Sequence, residues 1–124
     1  MTLKELYVRI GGDYDAAVRV LRIEKLIDKH IRRLPSNDIF PNLYDAWARK
    51  DATAMFESAH AMKGVCANLG MLNLYAVASE LSEEFRPGKT RQMTDEEVSR
   101  KVELVRNMHR KAEEGIRAYE EETV

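Results

Sequence analysis

The residues whose types and spacing could do chemistry lie in one stretch, Ala52 to Gly70, where His60 is followed by Lys63 and Gly64. A neutral imidazole is a nucleophile, and a lysine one helical turn away offers a mobile positive point charge to an anionic group arriving at the ring. Phosphoryl transfer suits such a pair, because it asks mainly for positioning and charge stabilisation. Glu57 opens a second possibility, since Glu57-x-x-His60 is half of the motif that holds paired metal ions inside a helical bundle. The other half would need a second Glu-x-x-His, and His30 is preceded at that distance by Ile27 and His109 by Arg106. Glu57 could also steady the imidazole through one ring nitrogen, or repel an incoming anion, and no role is assigned to it. Cys66 is the single cysteine, so neither a disulfide nor a cysteine zinc site is available. With no glycine-rich phosphate cradle and no acidic triplet for magnesium, the chain has no recognisable means of binding ATP or phosphorylating itself. It is expected to need no cofactor and no metal of its own.

The helix that must carry His60 is legible in the same stretch. Ala52, Met55, Ala59, Met62, Cys66 and Leu69 recur at alternating spacings of three and four, the seam of an amphipathic helix packed in a bundle. At roughly 100° per residue, His60 points about 130° away from the middle of that seam, toward solvent or a partner. Thr53, Gly64 and Ala67 share its side and are small, while Phe56 and Lys63 stand at the margin toward the core. A mid-helix glycine costs about 1 kcal/mol relative to alanine, and Gly64 sits where a side chain would crowd the ring. Something is expected to approach there.

The elements around this helix are also helical. Thr2 and Glu5 have the form of a capping box, Leu3, Leu6, Tyr7 and Ile10 make one stripe, and Gly11-Gly12 stops the first helix. Asp13 can cap the next segment, in which Ala16, Ala17, Val20, Leu21, Ile23, Leu26, Ile27, Ile31 and Leu34 are spaced for apolar faces. Residues 13–34 read equally as one helix or as two with a kink near Leu21. Pro35 ends the run, and Ser36, Asn37 or Asp38 can cap a helix whose first turn tolerates Pro41. Four longer helices are expected at about Asp38 to Arg49, Ala52 to Leu69, Met71 to Arg86 and Asp95 to Glu121, with Asp51 and Thr94 as caps. Gly70 closes the histidine helix, and Pro87 to Gln92 is the loop of greatest length. No stretch alternates with period two. The expected fold is all-α: an up-and-down antiparallel four-helix bundle with short additional N-terminal helices, in a single domain spanning 1–124.

Composition narrows the function classes. Lys and Arg number 20 against 21 Asp and Glu, so no net basic excess suggests nucleic acid or an anionic membrane as partner. The apolar runs are too short to span a bilayer, and MTLKELYVRIGG carries charges where a signal peptide is apolar. A cytoplasmic monomer is the expectation. His30 lies among basic residues and His109 falls in the apolar register of the last helix, so both read as structural. Arg32-Arg33 and the acidic Glu120 to Glu122 read as solvated helix ends, although acids sit poorly at the C-terminal end of a helix dipole.

His60-x-x-Lys63-Gly64, followed by Asn68-Leu69-Gly70 and a second amphipathic helix, resembles the signature of histidine phosphotransfer (HPt) domains of two-component phosphorelays. The resemblance implies His60 as the phosphorylated residue, Lys63 as a cation near the phosphoryl oxygens, and Gly64 as clearance for a receiver domain; Ala67, Thr53 and Phe56, placed around His60 by helical spacing, are expected in the surrounding docking face. It implies a phosphocarrier rather than a kinase, working with a response-regulator receiver domain or a hybrid histidine kinase. Magnesium would then belong to the receiver. Two alternatives stay beside it: a helical adaptor that uses the same face without phosphorylation, and a metal-binding bundle.

Overall fold

The computed structural model describes residues 1–122, which form seven α-helices and one 3-10 turn with no strand among them. The helices are α1 (Leu3–Ile10), α2 (Tyr14–Leu21), α3 (Glu24–Arg33), α4 (Ile39–Ala48), α5 (Ala52–Leu69), α6 (Leu72–Glu84) and α7 (Asp95–Glu122). Their ends follow from local chemistry. Thr2 and Glu5 close the reciprocal capping box on α1, and Asp13 and Asp51 accept from the backbone N–H groups of Ala16 and Ala54. At the start of α4 the capping oxygen belongs to Asn37, which accepts from Ile39 N at 3.0 Å. Thr94 Oγ1 accepts from Glu97 N at 3.1 Å ahead of α7.

Helices α4 to α7 pack as a bundle, α4 on α5, α5 on α6, α6 on α7 and α7 back on α4. The apolar seams meet at its centre. Leu43, Met55, Met62, Cys66, Leu74, Leu81, Val98 and Val105 are fully enclosed there. Helix α1 lies against α7, and α2 lies against α5.

Of the two readings open for residues 13–34, the structure has two helices, broken at Arg22, which takes φ of 70° without being glycine, and at an extended Ile23. Several other expectations need correction. The break turns Val20, Ile23 and Leu26 out to solvent, leaving Ile27, Ile31 and Leu34 to the core. Ala52 is exposed beside a cavity bounded by the loop from Phe85 to Arg91, so the seam of α5 begins at Met55. Helix α6 stops at Glu84 instead of Arg86. Glu84 is 2% exposed, and its carboxylate accepts from Arg91 Nε and from the N–H groups of Gln92 and Met93, folding the loop back over the helix end. Two of the three terminal acids are paired rather than merely solvated: Glu120 lies 3.7 Å from Arg32, and Glu122 lies 2.7 Å from the N-terminal ammonium. Those cations offset the unfavourable helix-dipole position. Arg32 is likewise half-buried, bonded to Asp28 and set over the Tyr119 ring.

Candidate functional site

Helix α5 is fixed at both ends, which gives the residues along it a rigid base. Asp51 caps its first turn. At the other end Tyr7 donates to Leu69 O at 2.7 Å from inside the core, and Asp13 N donates to Gly70 O at 2.7 Å. Gly70 itself has φ of 68°, and a Cβ there would lie 2.3 Å from Asp13 O, so both backbone conformation and space demand glycine.

His60 projects from the middle of this helix and is exposed, while Met55, Ala59, Met62 and Cys66 are fully buried behind it. Its ring stacks on Phe56 one turn earlier, with centroids 5.6 Å apart and planes 18° from parallel. Phe56 is half-buried, so the imidazole rests on a face anchored in the core. Thr53 and Gly64 are exposed and Ala67 is half-buried. A Cβ built on Gly64 would meet nothing within 4 Å, the His60 ring included, so the expected crowding of the ring does not arise at the Cβ, and internal packing does not require the glycine. Lys63 is half-buried with its ammonium 6.0 Å from the centre of the Tyr75 ring on α6. Among the described residues it has no carboxylate within ion-pair distance. Tyr75 is a part of this margin that sequence spacing does not single out, because it belongs to the next helix and only packing brings it beside Lys63.

The other chemistry-bearing residues stand apart from this face. Cys66 is enclosed, and burial pushes its thiol up to about 12, so it stays protonated and unreactive. His109 is half-buried and stacked on Phe40 at 3.7 Å; its Nε2 donates to Pro35 O at 2.8 Å, and its Nδ1 accepts from Tyr44 OH at 3.0 Å. Both ring nitrogens are used structurally. His30 is exposed and borders a cavity between α3 and α5. Among the described residues, no three His, Cys, Asp or Glu side chains converge as a metal site, and Glu57 and His60 face outward from the bundle.

A model of the Hpt domain family matches residues 35–115, which takes in α4 to α6 and most of α7. The chain belongs to the Hpt domain family. Hpt domains are the histidine phosphotransfer modules of two-component phosphorelays, phosphocarriers rather than kinases, and they interact with receiver domains and histidine kinases. No curated protein and no solved structure matches the chain. Within this Hpt domain no helix among the described residues is long and apolar enough to cross a membrane. Helices α1 to α3 lie before the matched residues.

Proposed function

We propose that this chain carries a phosphoryl group on His60 between a receiver-domain aspartate and a further phosphorelay partner. The observation that carries the reading is the exposed imidazole on α5, held over Phe56 and bordered by open space at Gly64. In the transfer an unprotonated ring nitrogen attacks phosphorus in line; the P–N bond forms as the P–O bond to the aspartate breaks, and the carboxylate leaves with the bonding pair. The fixed helix contributes positioning, and the stacked ring loses little further freedom when a partner docks. Lys63 swings from Tyr75 to the phosphoryl oxygens and lowers the barrier by charge. The receiver supplies the opposing carboxylate and the magnesium ion. Thr53, Phe56, Gly64 and Ala67 form the near docking face, and the protein works as a monomer so that this face stays open.

The test is transfer from a purified receiver domain phosphorylated on its aspartate. Label should leave the receiver and appear on this chain, and Lys63→Ala should slow the transfer roughly three- to tenfold, the scale of one screened charge. Failure of the wild-type chain to take label from receivers competent with other carriers would support the non-phosphorylated adaptor instead.

A further inference from the structure

The break between α2 and α3 exposes apolar surface that helical spacing alone would have buried. Val20, Ile23 and Leu26 are 48%, 54% and 37% exposed. The same segment, residues 19–33, carries six Lys and Arg against two Asp and Glu, in a chain whose totals are 20 and 21. Arg19, Arg22, Lys25, Lys29 and Arg33 have no carboxylate within ion-pair distance among the described residues, whereas Arg100, Lys101, Arg106 and Arg117, four of the six cations on α7, are paired. A basic surface with an apolar centre is therefore concentrated on one elbow of an otherwise charge-balanced molecule.

That elbow is continuous with the histidine face. Ile23, Leu26, His30 and Arg33 recur at spacings of three and four, one stripe along α3. At its far end His30 and Arg33 border a cavity of about 250 Å³ whose opposite wall is Val65 and Asn68 of α5, with Leu21 at its edge. On α5 the row His60, Gly64, Asn68 runs straight into this wall, about 12 Å from the imidazole at 1.5 Å per residue. A standard interface covers about 800 Å² per partner, a patch of roughly 16 Å radius, so a protein centred on His60 reaches the cavity and the near part of the elbow.

We infer that the α2–α3 elbow and the cavity between α3 and α5 are a second docking surface for the receiver domain, one that sets which receiver this carrier serves. The inference rests on the carrier reading above. The partner chemistry follows from charge: a site holding an aspartyl phosphate and magnesium is ringed by carboxylates, and free cations on the elbow complement an acidic, apolar-centred flank on such a domain. An anionic membrane would also attract basic and apolar side chains. The continuous row from His60 into the cavity favours the protein partner.

The experiment titrates a phospho-receiver against wild type, the double variant Ile23→Ser/Leu26→Ser, and Arg33→Glu, measuring half-saturating concentration and maximal transfer rate separately. Labelling by phosphoramidate, in which ammonia leaves as the new P–N bond forms, reports His60 reactivity without docking. The elbow variants should need about tenfold more receiver, the effect of losing a contact worth somewhat over 1 kcal/mol. Their maximal rate, phosphoramidate labelling and melting should match wild type. Should the double variant melt early, Arg33→Glu, a substitution on an exposed side chain, carries the same test. Unchanged half-saturation in the variants overturns the inference and leaves the carrier reading intact, and the more so if the elbow instead drives sedimentation with phosphatidylserine vesicles. If wild type is labelled by phosphoramidate but by no phospho-receiver, the carrier reading fails and this inference falls with it.

Discussion

At the scale of single residues, three side chains separate function from stability. His60 is exposed and touches the fold chiefly through Phe56, so His60→Gln should melt within about 0.5 kcal/mol of wild type. It should lose the phosphoacceptor entirely. Gly64→Leu should keep or slightly raise stability, by somewhat under 1 kcal/mol, because a Cβ there meets nothing within 4 Å and leucine is the better helix former. Transfer from a phospho-receiver should nevertheless slow sharply; normal transfer would show that Gly64 gives no clearance. Glu84 has the opposite profile. Burial pushes its carboxyl up, but the N–H of Met93, the Arg91 guanidinium and the N–H of Gln92 outweigh that and hold it below its ordinary value of 4.5. A group depressed in the folded state stabilises above its unfolded pKa, and that contribution fades as pH falls through the folded value. Chemical denaturation should therefore show Glu84→Ala less stable by about 2–3 kcal/mol at neutral pH, with the gap to wild type closing below about pH 4.5.

At the scale of elements, α5 depends on how its C-terminal end is locked. Gly70→Ala places a side chain at φ of 68° and drives a Cβ into Asp13 O, so it should cost at least about 1–3 kcal/mol, read as a lower melting temperature. The histidine helix was largely legible in the sequence because its seam, its Asp51 cap and its Gly70 stop all agree, and consistent local signals specify an element well. His60 and its small neighbours were legible for the same reason: helical periodicity alone separates a core face from an outward one. The break at Arg22 was legible only as one of two equal readings, since neither glycine nor proline marks it and the apolar residues on both sides fit helical faces equally well. Ile23 and Leu26 consequently read as core but lie outside. Glu84 and Tyr75 were hidden for a different reason. Their surroundings come from a returning loop and a neighbouring helix, which no spacing within one segment encodes.

At the scale of the whole molecule, the apolar seams are spent inside the bundle; of the large apolar residues left exposed, Val8, Leu72 and Leu104 lie one each on α1, α6 and α7, while Val20, Ile23 and Leu26 belong to the α2–α3 elbow. A patch of this size, rimmed by unpaired cations, suits a transient encounter better than a permanent dimer. Sedimentation should accordingly give a monomer near 14.3 kDa, and transfer at low receiver concentration should slow as salt is raised from 0.05 to about 0.5 M, where screening lengths drop below about 10 Å. The central claim, that His60 is the phosphoryl carrier, is tested most directly by locating the modification after brief incubation with a phosphorylated receiver domain. Mapping at alkaline pH, with acid lability as a check, should place one acid-labile phosphate on His60 in wild type and none on a folded His60→Gln variant. Phosphate retained by that variant on another histidine, or no histidine-linked phosphate on wild type, would contradict the account.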